Sequence, residues 1–215
     1  MPKETGLLLS LPMLQAYMRG EKIQTRRTHG LQKINQNPDE WELILFRNEL
    51  NKNLSPQLYL FRNKKTENQV FIKCPCGQVG NEIYWKETLY RNPYFNEAGY
   101  LADNCCVVIN GTIGDMLKWR WEKDILPAIF MPKEASRFRH IPLLDIRVQR
   151  VQGISPADTV TEGVIGMSYQ LLWDSTNGKR SLIVKSTGLI IPNAYAWERN
   201  PWVFAYTFPA YEGEK

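Results

Sequence analysis

Short apolar bursts, separated by Gly, Pro and Asn, set the rhythm of this chain. "TGLLLSL" reads as a short buried strand. "PMLQAYMRG" follows, with Leu14, Tyr17 and Met18 at helical spacing, Pro12 in the first turn and Gly20 at the stop. That pattern predicts a short helix packing one face on the core. In "VFIKCPCGQVGNEIYWKETLY" the "GQVG" stretch is a turn and "EIYWKETLY" the strand after it. "CCVVINGTI" sets Asn110 and Gly111 between β-formers, a hairpin signal. "IPLLDIRVQRVQ" alternates as one long strand: Leu144, Ile146, Val148 and Arg150 share one face, and Asp145, Arg147 and Gln149 the other. "SPADTVTEGV" starts a helix with Ser155 as N-cap and Pro156 in its first position. "SYQLLWDSTNG" is a second helix ending near Gly178, and "NPWVFAYTFPAY" is the last strand.

Residues 31 to 69 break the rhythm. They are rich in Asn, Gln, Lys and Glu, with "WELILFRNEL" and "QLYLFRN" as short ordered pieces. Taken together, the elements predict an α+β fold: a mixed sheet closed as a small barrel, with helices at its ends.

Composition adds a partner class. The 215 residues fit a single domain, are 43% hydrophobic and 23% charged, and hold enough apolar material for a core. A net charge of +5 favours polyanions, and an aromatic share of 12% supplies rings on which bases stack. No apolar stretch approaches the roughly 20 residues of a membrane span, and no secretory leader is visible. A cytoplasmic protein with reduced thiols is expected. The cysteines, Cys74, Cys76, Cys105 and Cys106, lack structural-zinc spacing. There is no phosphate-binding glycine loop, nucleophile elbow or His-rich motif, so neither a cofactor nor a metal is expected.

The candidate chemistry starts at "GEKIQTRR". In a regular strand Lys22, Gln24 and Arg26 point one way, and Thr25 and Arg27 the other. Lys22 and Thr25 serve one pocket only if the backbone bends between helix and strand, and Gly20 makes such a bend available. Grouped there, Lys22, Arg26 and Arg27 suit a phosphate or a base carbonyl. Burial beside two arginines would lower the pKa of Lys22 and fit it to take a proton from Thr25 or a water. Trp85, Lys86 and Glu87 form a second constellation. Trp85 stacks a base while Glu87 reads an amino edge; or Trp85 is core and Glu87 pairs with an arginine such as Arg26 or Arg137. Arg137 is a second candidate for a phosphate or base contact. Trp119 and Trp121 alternate with charge, as on an exposed edge.

Several stretches, in order and spacing, resemble phage and prophage proteins of the ASCH-domain type. These are "GEKIQTRR", "CPCGQVGNEIYWKETLY", "YLAD", "MPKEASRFRHIPLLDIRVQRVQGISPADTVTEGV", "LLWDSTNG" and "NPWVFAYTF". The resemblance covers residues 6 to 27 and most of 74 to 208, and leaves about 28 to 72 as a family-variable insertion. It implies a PUA-like (ASCH) mixed β-barrel with flanking short helices, and binding of RNA or a modified nucleotide beside the "K-x-x-T-x-R" loop. It also implies, from one small branch, an amidohydrolase acting on an N4-acylated cytidine, whose catalytic set would be Lys22, Thr25 and Glu162. The chain departs from the pattern at Ile23, where relatives often have threonine, at Asn81, where they have Asp, and at Lys86, where they often have Arg. Three readings follow: a binding module for RNA or a modified nucleotide, a modified-nucleoside amidohydrolase, and a phage protein that binds a host protein through residues 31 to 69.

Overall fold

The computed structural model describes residues 4–46, 58–109, 116–164, 166 and 168–213. The elements are β1 (Glu4–Leu8), α1 (Leu11–Met18), β2 (Gln24–Arg27), β3 (Trp41–Phe46), β4 (Leu58–Asn63), β5 (Gln69–Lys73), β6 (Glu82–Lys86), β7 (Leu89–Arg91), β8 (Ala98–Tyr100), β9 (Ile125–Leu126), β10 (Ile141–Pro142), β11 (Asp145–Arg150), α2 (Pro156–Thr161), α3 (Tyr169–Trp173), β12 (Leu182–Ile183), β13 (Ile190–Ile191) and β14 (Trp202–Thr207). The fold is mixed α+β, mostly strands in several small sheets with few short helices. No helix among the described residues is long and apolar enough to cross a membrane.

Two three-stranded sheets build the centre. In one, β6 lies between β1, which it pairs in parallel, and β10, which it pairs antiparallel. In the other, β14 lies between β11 and β2, antiparallel to both. The expected single strand over 141–152 is divided between them. Pro142 has no N–H to continue the β10 ladder. The next two residues then bond to different sheets: Leu143 N–H donates to Asn81 O at 2.8 Å, and Leu144 N–H donates to Thr207 O at 2.8 Å. The chain thus turns a corner from one sheet into the other. Leu143 is buried and Leu144 exposed, so the predicted apolar face keeps Ile146 and loses Leu144. No hydrogen-bonded closure joins the two sheets into a barrel among the described residues.

One core serves both sheets. Tyr17 from α1 meets Trp85 of β6 edge-on at 5.5 Å, and Trp85 meets Phe208 beyond β14 at 4.9 Å. The described residues of the 31 to 69 segment belong to the same core. Leu31, Ile34, Tyr59 and Phe61 are fully buried in it, and β3, β4 and β5 form their own sheet over it. Asn35 and Trp202 exchange two hydrogen bonds, of 2.9 and 2.8 Å, which tie this segment to β14. A second cluster, around Leu89, Tyr100, Trp119 and Met131, lies under β7, β8 and β9. Trp119 is buried there and packs edge-on against half-buried Trp121 at 4.9 Å, which corrects the expectation of an exposed edge. Asn110 and Gly111 lie outside the described residues; Val108 and Met116, which flank them, form an antiparallel bridge.

The second predicted helix is shorter than its pattern. α3 ends at Trp173 and runs into a π-helical turn, Asp174–Gly178. There the side chains of Thr176 and Asn177 donate to the carbonyls of Leu172 and Trp173, in competition with the backbone N–H groups that would continue an α-helix.

Candidate functional site

The chain leaves α1 through Gly20, whose φ of 75° lies in the left-handed region and whose N–H donates to Tyr17 O at 2.9 Å. Lys22 then forms an isolated antiparallel bridge with Glu162, and Ile23 N–H donates to Thr161 O at 2.8 Å. Only at Gln24 does regular pairing with β14 begin. The bend therefore precedes the strand, and the Lys22 side chain turns toward the end of α2.

The sequence of α2 aims two acids at that point. Ser155 caps the helix, its Oγ accepting from Asp158 N–H at 3.0 Å. Asp158 and Glu162 are four residues apart and so lie on one face. Gly163 follows with φ of 80°, and a Cβ there would stand 2.8 Å from Ala16 Cβ and 3.2 Å from Lys22 Cβ. Glycine lets α2 close against α1 and Lys22.

The result is a buried ionic cluster. Lys22 Nζ donates to Glu162 Oε2 and to the Glu162 carbonyl, both at 2.8 Å. Arg26 Nη1 donates to Glu162 Oε1 at 2.9 Å, and its Nη2 donates to Asp158 Oδ2 at 2.9 Å. Arg147 Nη2 reaches Asp158 Oδ1 at 3.4 Å. The side chains of Lys22, Arg26 and Glu162 are 1%, 0% and 5% exposed. Charges removed this far from water are tolerable only in such company. Burial pulls the pKa of Lys22 below the ordinary lysine value; Glu162 opposes that shift, and Arg27 and Arg26 add to it. Arg27 is also lowered by burial, against the attraction of Glu162. For Asp158 burial acts upward, but Arg147 and Arg26 hold it below the usual carboxylate value.

This cluster forms one wall of a cleft of about 890 Å³. Its lining comes from β1, the start of α1, Lys22, the Thr25–His29 stretch, Glu162, α3 and the π-helical turn after it. Lys22, Thr25, Arg26, Arg27 and Glu162 all reach it. Because β2 is an edge strand, side chains from both of its faces can border the same space. Thr25 is there, but its hydroxyl hydrogen-bonds to neither Lys22 nor Glu162 among the described residues. Tyr169, Trp173 and Tyr206, all three buried, border the cleft with their rings, and Arg180 adds a further cation. In size and in its mixture of rings with a few fixed polar groups, the cleft suits one planar, hydrogen-bonding ligand.

The second predicted constellation is elsewhere. Trp85 is 0% exposed in the core and offers no face to a base. Lys86 Nζ donates to Ile129 O at 2.6 Å. Glu87 is buried and accepts both arms of Arg137, Nε at 3.0 Å and Nη2 at 2.8 Å, while Arg137 Nη1 reaches Asp103 at 2.5 Å. The Arg137 guanidinium lies 4.0 Å from the Tyr100 ring centroid. Those contacts pair the two residues with each other, the arrangement in which Glu87 satisfies an arginine. None of Trp85, Lys86, Glu87 and Arg137 lines the cleft.

The residues missed from sequence are Asp158, Tyr169 and Arg180; Trp173 is core, as its type suggests, and also lines the cleft. Spacing held a signal for three of the four. Asp158 and Glu162, and Tyr169 and Trp173, are both pairs four apart, the mark of a shared helical face. Comparison with protein-family profiles, curated proteins and solved structures finds no match.

Proposed function

We propose that the cleft binds a single modified nucleoside unit, recognised through its base rather than through a run of backbone phosphates. The observation that carries this reading is the shared Glu162 carboxylate. It neutralises Lys22 and Arg26 in place, and Asp158 takes the other arm of Arg26. Both terminal nitrogens of Arg26 are therefore committed to carboxylates rather than to a phosphate. What the wall offers instead is a fixed donor–acceptor array: the remaining N–H of Lys22, the Thr25 hydroxyl and the rings of Tyr169 and Trp173. We also propose that the fold is PUA-like of the ASCH type. Two small sheets around one core, joined by a strand that turns the corner at Leu143, support that reading.

A second reading, hydrolysis of an N-acylated base, is favoured by the state of Lys22. It is buried, its pKa is lowered, and it is held by Glu162 in the cleft that Thr25 lines. In this reading neutral Lys22 takes the proton of the attacking hydroxyl and passes it to the leaving amine; a water attacks the acyl carbonyl directly, or Thr25 attacks and a water then hydrolyses the acyl-Thr25 ester to the free acid and restores the hydroxyl. Glu162 already accepts from two cations and acts by orienting Lys22.

Both readings are tested with a panel of modified nucleosides and short RNAs, by calorimetry and by mass spectrometry of the products. Affinity for a nucleoside should fall by no more than about one log unit per log unit of salt, the slope for roughly one phosphate contact. A slope several times steeper, with no nucleoside binding, would refute base recognition. Deacylation that disappears in Lys22→Met establishes the hydrolytic reading; unchanged deacylation in that variant removes it.

A further inference from the structure

The ionic cluster on the cleft wall does not balance. Lys22, Arg26 and Arg27 face Glu162 and Asp158, three cations against two carboxylates, and Arg147, shared between Asp158 and Asp145, leaves that tally unchanged. Both carboxylates are taken, Glu162 by Lys22 and Arg26, and Asp158 by Arg26 and Arg147. The surplus positive charge resides on Arg27. Its Nη2 donates to the Leu8 carbonyl, a neutral acceptor, and its Nε is buried without a hydrogen-bond partner. Among the described residues no carboxylate stands within ion-pair distance of it. The other acid of the cleft, Glu4, lies four residues from Leu8 along β1, about 13 Å at strand rise. It already holds Lys133 at 2.7 Å. Arg180, which also lines the cleft, likewise has no acidic partner among the described residues; its Nη1 donates to Asn177 Oδ1 at 2.7 Å.

A half-buried guanidinium without a counter-ion is destabilising unless a ligand brings one. The group whose shape and charge match a planar guanidinium fork is a phosphate. We infer that the cleft takes its ligand as a nucleotide, with Arg27 binding one phosphate and Arg180 assisting from the rim, while the Lys22–Glu162 side meets the base. This rests on the nucleoside reading of the cleft and adds to it the class of ligand: a nucleoside monophosphate, or a nucleotide at a strand end.

The test compares a modified nucleoside, its 5′- and 3′-monophosphates and inorganic phosphate, by calorimetry and thermal shift. The proteins are wild type, Arg27→Gln and Arg27→Lys, with Arg180→Gln as the rim variant. One charge-assisted contact predicts that one monophosphate binds wild type on the order of 10–100-fold more tightly than the nucleoside. Arg27→Gln should erase that difference. Arg27→Lys should restore part of it, and Arg180→Gln should reduce it less. Equal affinity of wild type for nucleoside and both monophosphates overturns the inference, and needs no variant to do so. So does discrimination that survives Arg27→Gln. Arg27-dependent stabilisation by inorganic phosphate with no nucleoside binding would keep the anion site and overturn base recognition. No response to any of these probes overturns both.

Discussion

Glu162 is the shared counter-ion of two buried cations, which makes its loss unequal to the loss of either partner. Glu162→Gln preserves volume but removes the charge, and it turns an amide N–H₂ toward a cation that needs an acceptor. Breaking a buried pair by removing one partner costs about 3–5 kcal/mol. Here Lys22 at 2.8 Å and Arg26 at 2.9 Å are stranded together. The expected cost is therefore the upper part of that range, about 4–5 kcal/mol. For a chain of this size it should lower Tm by about 8–20 °C. Lys22→Met strands no charge, since Glu162 keeps Arg26. The Glu162 carbonyl and Oε2 lose their Lys22 donor while Oε1 keeps Arg26, at about 1–3 kcal/mol. The assay is thermal melting by circular dichroism, with urea unfolding at 25 °C for the free energies. Glu162→Gln should be the less stable protein by several degrees. The double variant should lose less than the two singles added together, because one stranded cation has gone. An equal or greater loss in Lys22→Met, or strict additivity in the double variant, would refute the shared-carboxylate reasoning.

Three further outcomes follow from the same geometry. Asp158 is held below the usual carboxylate value, so its contribution is complete above about pH 4 and lost as pH falls through its folded-state pKa. Urea unfolding between pH 2.5 and 7 should show an acid limb that is shallower in Asp158→Asn. Trp85→Ala should cost about 3–5 kcal/mol as a core truncation, while the folded protein keeps its ligand affinity within about twofold; a selective loss of affinity at unchanged Tm would return Trp85 to the binding surface. Gly163→Ala forces a left-handed Ala against Ala16 and Lys22 and should cost about 1–3 kcal/mol, with ligand affinity falling alongside because Glu162 is displaced; an unchanged Tm would show that α2 tolerates the shift.

How much of this was legible in the chain depends on how local the cause is. The α2 cap at Ser155 and Pro156, the stop of α1 at Gly20 and the final strand are set by neighbours within a few residues, and they read directly. The corner at Leu143 does not: alternation continues smoothly through 141–152, and only the pull of two different sheets on successive N–H groups divides the strand. The same holds for residues 31 to 69, whose polar bulk hides Leu31, Ile34, Tyr59 and Phe61. Their burial depends on partners such as Ile146 and Trp202, more than a hundred positions away for the first pair. Trp85 and Glu87 show the opposite failure. Residue type alone fits both a base platform and a packed core, and the decision comes from Tyr17, Phe208 and Arg137, which lie far off in sequence.

The placement of the charges bears on why they are buried at all. A well-packed apolar cluster in place of a buried ion pair is often as stable or more so, so stability alone does not call for Lys22, Arg26 and Glu162 at this depth. What the cluster supplies is position. Lys22 reaches both the carboxylate and the carbonyl of Glu162, and Arg26 reaches Glu162 and Asp158 one helical turn apart. Together they fix the rotation of α2 against β2, two elements more than a hundred residues apart. Apolar contacts would hold those elements together but would tolerate sliding, since dispersion is non-directional. The ionic contacts do not, and they keep the amine and the carboxylate at a set place on the cleft wall. The arrangement therefore exchanges stability for a rigid polar surface, and such a surface has consequences only for something that enters the cleft.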